Sequence, residues 1–353
     1  MDRIRVGILG ATGAVGQTFV RLLDGHPTFE VVALAASERS AGKRYREACT
    51  WTQDQAMPAW AAGMTVAACT PEAVDAELVF SGLDSGVAGE IEKAFARAGR
   101  AVVSNARNHR MDADVPLLIP EVNPDHLALV ERQDWGASGG MIVTNPNGST
   151  VGLVMALAPL HRAFGVEAAH VVTLQAISGA GYPGVPSLDV LGNVVPHIGG
   201  EEDKLATEPR KILGTLNASG VEPAEMTISA QCTRVPVIDG HTECVSVRLS
   251  GDPSPEAVRE ALEAWRSPLA GRGLPTAPEV PIVVVDGAGP QPRRHASLGG
   301  GMTVSVGQIQ ACPVLGVKLV VLSHNTVRGA AGGALLNAEL MVAEGRLATA
   351  AQA

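Results

Sequence analysis

Aromatic side chains are scarce in this chain: two tyrosines, five phenylalanines and four tryptophans make up 3% of 353 residues. Ala, Val, Leu and Ile must therefore fill the interior, and an apolar fraction of 46% is enough for two domains over a shared core. Clustered cysteine is missing as well. Cys49, Cys69, Cys232, Cys244 and Cys312 are scattered, with no pair at metal-ligand or redox spacing, so no metal is expected and the thiols read as reduced and mostly buried. No run of about 18 apolar residues occurs, and the N-terminus enters an apolar-rich segment without a basic leader. A cytoplasmic protein with no membrane partner is the expectation. Lysine/arginine runs are also lacking and the net charge is −9, which excludes nucleic acid as the main partner. Any anionic small-molecule substrate must then meet a local basic pocket. No 20–50-residue repeat is visible, which sets solenoids aside.

What is present is a βαβ pattern. Ile4 to Leu9 is apolar-rich, Gly10 to Gly16 is a glycine loop, Gln17 to Leu23 has helical spacing, and a second apolar run covers Glu30 to Ala35. Further strand and helix signals at Leu78 to Gly82, Gly89 to Ala98 and Ala101 to Ser104 imply a Rossmann-type, doubly wound parallel sheet. After a polar loop from Glu131 to Gly140 the pattern changes. A helix from Val151 to Phe164 precedes strands at His170 to Ile177, Met226 to Val237, Thr242 to Leu249, Val280 to Asp286, Met302 to Gln310 and Val317 to Leu322. These predict a second α+β catalytic and dimerisation domain with a mixed, largely antiparallel sheet. The class is α/β, with domains at 1–145 and 146–324 and a C-terminal helix at 325–353 that returns to the first domain.

The glycine loop Gly10-Ala11-Thr12-Gly13-Ala14-Val15-Gly16 lies between a strand and a helix, where backbone amides and a helix N-terminus meet a pyrophosphate. Gly10, Thr12, Gly13, Ala14, Val15 and Gly16 are the candidate cofactor residues. At the end of the second strand, Ser37, Arg39 and Ser40, followed by Lys43, suit a 2′-phosphate and hence NADP; Glu38 leaves NAD open. A second loop, Thr144-Asn145-Pro146-Asn147-Gly148-Ser149-Thr150, runs into a helix. Taken without context it reads as a cap with Ser149 or Thr150 as capping residue. Glu201 and Lys204 read as a solvated i,i+3 pair, and His241 as a histidine after a turn.

Several blocks change that reading. The glycine loop, Ser104 to Met111, Ile119 to Asn123, the Asn147 loop, Gln175 to Gly184, Gly199 to Lys204, Arg234 to Glu243 and His324 to Gly329 together resemble the aspartate-semialdehyde dehydrogenases of archaeal and fungal type. In that family the loop reads Asn-Pro-Asn-Cys-Ser-Thr, and the cysteine attacks the carbonyl carbon. Here Gly148 stands in its place. The resemblance gives Arg110 and Lys204 the acyl phosphate, Glu201 and Arg234 the substrate's amino and carboxylate ends, Gln175 the orientation of the carbonyl and His241 the proton transfers, with Asn147 beside the substrate. It also gives Gly181, Asn325 and Thr326 to the cofactor, and implies a homodimer or homotetramer. Malonyl-CoA reductases share much of the pattern. Ser297 to Gly301 departs from it, because charged residues are usual there.

Without a thiol, three readings stay open: a dehydrogenase silenced by an engineered Cys-to-Gly replacement, a natural thiol-free reductase passing hydride directly to an aldehyde, imine or acyl phosphate, and a non-catalytic NADP- and metabolite-binding protein. One geometric difficulty also stands. If Asp239-Gly240 is a two-residue hairpin turn, Arg234 and His241 share one sheet face and lie about 13 Å apart along the strand, too far for one four-carbon substrate.

Overall fold

A computed structural model describes residues 3–137 and 139–347, so the last part of the expected C-terminal segment, 348–353, lies outside the described residues. The first sheet contains β1 (Ile4–Leu9), β2 (Phe29–Ala36), β3 (Ala67–Ala68), β4 (Leu78–Ser81), β5 (Ala101–Ser104) and β6 (Met141–Thr144), all parallel, in the order β3-β2-β1-β4-β5-β6. Both faces are covered. Phe19 and Val20 of the helix Ala14–Leu22 join one core with Leu335 and Leu336 of the C-terminal helix, while Phe95 and Ala96 of the helix Ser85–Arg97 join the core on the other face. Strand order reverses between β1 and β4, where a crevice opens at the carboxyl ends of the strands.

The second sheet is mixed. It adds β7 (Val166–Gln175), a small hairpin of β8 (Thr215–Asn217) and β9 (Gly220–Glu222) outside the sheet, then β10 (Thr227–Arg234), β11 (His241–Leu249), β12 (Ile282–Val285), β13 (Val304–Cys312) and β14 (Gly316–Ser323). The sheet order is β10-β7-β11-β14-β13-β12, with parallel pairing only in β10/β7 and β12/β13. The helix Gly148–Phe164 is apolar around its whole circumference and is buried against this sheet from Ser149 to Leu160.

The Asp239-Gly240 hairpin does not exist. β10 and β11 are separated by β7, so the chain crosses over β7 between Arg234 and His241. Arg234, the last residue of β10, and His241, the first of β11, therefore lie on the two strands that flank Gln175 of β7, and the 13 Å spacing along one strand no longer applies. The "mostly buried" thiols also need correction: Cys232 and Cys312 are buried, Cys49 and Cys69 are half-buried, Cys244 is exposed, and all are free.

One helix ties the two halves together. On Glu201–Ile212, positions 201, 204, 208 and 211 recur every three or four residues and so share a face. At its far end the ammonium of Lys211, 6% exposed, donates to the carbonyls of Arg110, Asp112 and Val115 at 2.8, 2.7 and 2.8 Å. Replacing Lys211 with Met would leave three buried carbonyls without donors. The expected loss is about 3 kcal/mol or more, read as a lower urea midpoint at unchanged slope. A neutral result would mean that water satisfies these carbonyls.

Candidate active site

The glycine loop sits at the strand-order reversal. Gly10 has φ +73°, and a Cβ there would lie 2.7 Å from the Gly82 carbonyl oxygen, so only glycine lets these two chain segments approach. The loop delivers the chain to Gly13, the cap of the helix Ala14–Leu22, whose free amides face an interdomain cleft of about 630 Å³. Gly10, Thr12, Gly13, Ala14, Val15 and Ser37 line one end of it, and Asn147, Gly148, Gln175, Glu201, Arg234 and His241 the other. Gly181, Asn325 and Thr326 lie between. Gly16, Arg39, Ser40, Arg110 and Lys204 do not line the cleft. Arg39 and Lys43 are exposed.

The helix beneath the site starts at Gly148 rather than Val151, and its cap is Asn147, not Ser149 or Thr150. Asn147 Oδ1 accepts from the Ser149 and Thr150 amides at 2.9 and 3.3 Å, the reach an extended cap residue has to the second and third helical positions. The Ser149 hydroxyl is fully buried, makes no hydrogen bond to protein and does not line the cleft, so it does not stand in for a thiol. Cys244 lies on the other face of β11 from His241, by strand alternation, and burial pushes the Cys232 thiol up to about 11. Neither is a replacement nucleophile. Space for a side chain at 148 nonetheless remains: a Cβ there would meet the Asn325 carbonyl oxygen at 3.5 Å and Asn325 Cβ at 3.6 Å, ordinary van der Waals contacts.

Glu201 collects donors. Lys204 Nζ donates at 2.6 Å to one oxygen, and Asn147 Nδ2 and Gln175 Nε2 donate to the other at 2.8 and 3.2 Å. Burial pushes its carboxyl up, but Lys204 and the two amides outweigh that and hold it below the usual range. Lys204 is thus committed to Glu201. Arg110 is committed too: its guanidinium donates to Glu208 at 2.8 Å and to the Asn105 carbonyl at 2.7 Å. Glu208, whose other oxygen accepts from the Asn147 backbone N–H at 2.8 Å, carried no signal in the sequence reading. Its only mark was its spacing from Glu201 and Lys204 along one helix face. Glu121 was also passed over; both its oxygens take the Arg328 guanidinium, at 2.5 and 2.9 Å, in the buried interior.

His241 is 4% exposed. The Ala176 N–H donates to its Nδ1 at 3.1 Å, so in the neutral ring the proton sits on Nε2. Arg234, anchored by donation to the Ala176 carbonyl at 2.7 Å, shares a neighbourhood with it. A Cβ on Gly179 would lie 2.8 Å from Arg234 Nη1 and 3.3 Å from His241 Nε2. Asn325 holds both sides of this neighbourhood, accepting from Gly240 N at 2.9 Å and donating to Ser178 Oγ at 2.8 Å. Burial first, then Arg234, lowers the imidazole pKa to about 3. Beside this cleft, Ser297 and Gly300 of the divergent glycine-rich stretch line a second cavity of about 500 Å³, together with Arg21, Asp239 and His324.

A glycine loop at a strand-order reversal, facing a histidine, a carboxylate and a guanidinium across one interdomain cleft, defines a two-domain oxidoreductase of the dinucleotide-binding class. Residues 5–130 match the family model described as the semialdehyde dehydrogenase NAD binding domain, and 157–328 the semialdehyde dehydrogenase dimerisation domain. The chain belongs to the aspartate-semialdehyde dehydrogenase family. It is 48% identical over 358 residues to the enzyme of that name from Candida albicans, covering 96% of this chain and 98% of the other. To the one from Archaeoglobus fulgidus it is 49% identical over 344 residues, covering 97% and 99%. It also resembles the crystal structure of aspartate semialdehyde dehydrogenase with NADP from Candida albicans, with a TM-score of 0.90 at 47% identity over 97% of this chain and 99% of that one. Among the described residues no helix is long and apolar enough to cross a membrane.

The lowered imidazole gives a pH signature. Between its folded value of about 3 and the ordinary 6.5, the unfolded chain binds a proton at His241 that the folded chain does not, so this residue makes stability rise with pH across that window and contributes nothing above it. His241→Gln is expected to flatten the acid limb of a stability-against-pH curve between roughly pH 4 and 6.5. An unchanged limb would show that the ring is charged in the folded protein.

Proposed function

We propose that this chain binds NADP(H) and a small amino-acid-like carbonyl compound in the interdomain cleft, and that it lacks the thioester-dependent interconversion of aspartyl phosphate and aspartate semialdehyde. The supporting observation is Gly148 itself: the position has room for a side chain, and neither Ser149 nor Cys232 nor Cys244 is placed to stand in for a thiol there. The cleft suits the cofactor on geometry. Gly10 and Gly82 approach as only a glycine permits, and amides of the helix Ala14–Leu22 are free for a pyrophosphate. Ser37 in the cleft, followed along the chain by the exposed Arg39 and Lys43, suits a 2′-phosphate. When bound, NADPH supplies hydride.

The protein groups then do the rest. Arg234 takes the substrate carboxylate and Glu201 its amino group, an arrangement in which a fixed guanidinium and an ionised carboxyl meet opposite charges. Gln175 orients the carbonyl. His241, neutral with Nε2–H towards Arg234 and Gly179, donates a hydrogen bond to the oxygen that gains charge, and Arg234 adds positive potential nearby. The imidazole acts as a donor rather than as a charged acid, because burial and Arg234 outweigh the pull of the Glu201 carboxylate, and the proton that completes the alcohol comes from solvent. Arg110 and Lys204, engaged with Glu208 and Glu201, must exchange partners to take an acyl phosphate. That favours an aldehyde or imine over an acyl phosphate as the group reduced. It also favours catalysis over passive binding, since the polar set converges on one point.

Three measurements test this. Calorimetric titration is expected to show NADP(H) binding more tightly than NAD(H), by about 1.5–3 kcal/mol for a charge-assisted contact; equal affinities would remove the 2′-phosphate assignment. Gly148→Cys is expected to create phosphate-dependent oxidation of aspartate semialdehyde without loss of stability, because Gly148 is helical and not at positive φ. An inert cysteine variant with normally bound NADP would mean that the substrate pocket has diverged. In stopped-flow absorbance, the unaltered protein is expected to give no phosphate-dependent NADPH formation from aspartate semialdehyde, while NADPH consumption with a small semialdehyde or its amine adduct falls about 10²–10⁴-fold in His241→Ala. Binding of NADPH without turnover of any such compound would point to a sensor instead.

A further inference from the structure

One buried acid beside the site has no role in that chemistry. Glu243 follows His241 by two residues on β11 and so shares its sheet face, under the helix Gly148–Phe164. It is fully buried, and neither carboxyl oxygen hydrogen-bonds to any protein group. Its buried neighbours differ: Glu201 and Glu208 each accept from two or more donors. Ser323, directly across from His241 on β14, is also buried with no protein partner for its hydroxyl. Both groups converge on Gly152, where a Cβ would lie 2.6 Å from Ser323 Oγ and 3.5 Å from Glu243 Oε1. Any larger residue at 152 would displace them.

No cation faces this carboxyl. The helix above it carries no ionisable side chain before His161. On the same face, β7 presents Thr173 opposite Glu243, flanked by Val171 and Gln175, and β14 presents Val321 between Leu319 and Ser323. On its own strand His241 is neutral and the exposed Cys244 lies on the other face, while burial raises the Cys232 thiol. An isolated carboxylate in such surroundings carries a desolvation cost that no partner offsets, so the neutral form, which can donate its own O–H to a hydroxyl, prevails.

We infer that Glu243 is a neutral carboxylic acid at physiological pH and acts as a positioning residue, adding no second negative charge to that of Glu201 near His241, so that the ring stays an uncharged Nε2–H donor. An ionised carboxylate two residues from His241 would favour the imidazolium and cancel that role. The neutral acid also costs the fold nothing in charge burial while filling the space between β11 and the helix at Gly152.

Infrared spectroscopy of the intact protein at neutral pH tests this. A carboxylic-acid carbonyl band is expected that disappears in Glu243→Gln and persists in Glu92→Gln, the control for the other buried carboxyl raised by its surroundings. Nitrogen-resolved NMR of His241 at pH 5 provides the second readout. The neutral-ring pattern is expected in both the parent and Glu243→Gln, because the substitution exchanges one uncharged group for another. An infrared spectrum of the parent identical to that of Glu243→Gln would overturn the inference, as would an imidazolium in the parent that is lost in the variant. Should Glu243→Gln fail to fold, Glu92→Gln decides: a carboxylic-acid band that shifts with carbon-labelled glutamate must remain in it, and its absence would overturn the inference.

Discussion

The site hangs on Glu208. This buried carboxylate takes the Arg110 guanidinium with one oxygen and the Asn147 backbone N–H with the other, and so fixes a loop of the first domain to the start of the central helix of the second. An ion pair with both side chains under a tenth exposed is a weak source of net stability but a demanding one geometrically, since removing either partner strands the other charge. Because Glu208 lies on the same helix face as Glu201 and Lys204, the substrate-side carboxylate and the interdomain joint move as one rigid body. Asn147 is held from three directions: its amide by Glu208, its side-chain nitrogen by Glu201, and its side-chain oxygen by the helix it caps.

A thiol at 148 would alter more than its own position. Beside an imidazole, a thiolate supplies the negative charge that makes an imidazolium affordable in a buried pocket. With glycine there, burial and then Arg234 disfavour the charge on His241 and outweigh Glu201, which favours it. On the proposed reading, the same ring in the same place then serves as a fixed hydrogen-bond donor rather than as a titrating acid/base. One residue's absence sets another's chemistry.

Much of this could be read along the chain. The parallel sheet followed from alternating strand and helix signals, the glycine loop from its place between β1 and a helix, and Gln175, Glu201, Arg234 and His241 from blocks that resemble a known family. What could not be read was which strands are neighbours. Arg234 and His241 flank a turn signal, Asp239-Gly240, that would ordinarily close a hairpin; pairing with β7 instead is a long-range choice that no local pattern encodes. Glu208 and Glu243 were invisible for a related reason. In sequence each is one more glutamate on an amphipathic element, and only burial, which depends on what packs over it, separates them: Glu208 has donors and Glu243 has none. The cap was misplaced by two or three residues because three candidate capping side chains follow one another at 147, 149 and 150.

Structurally, glycine at 148 is a slight change. It occupies the first helical turn, where a missing side chain costs less than in a helix interior, and Asn147 continues to satisfy the two amides that follow. The helix is held by its apolar circumference from Val151 to Leu160 rather than by its first residue. Close packing there is set by Gly329, where a Cβ would lie 2.7 Å from the Gly148 Cα, and that contact does not depend on which side chain 148 carries. The fold is therefore nearly indifferent to the residue on which covalent chemistry would turn. Such a scaffold keeps its cofactor loop, its charge clamp and its hydrogen-bond donor intact when the nucleophile is absent, and direct reduction of a bound carbonyl is the chemistry those remaining groups can support.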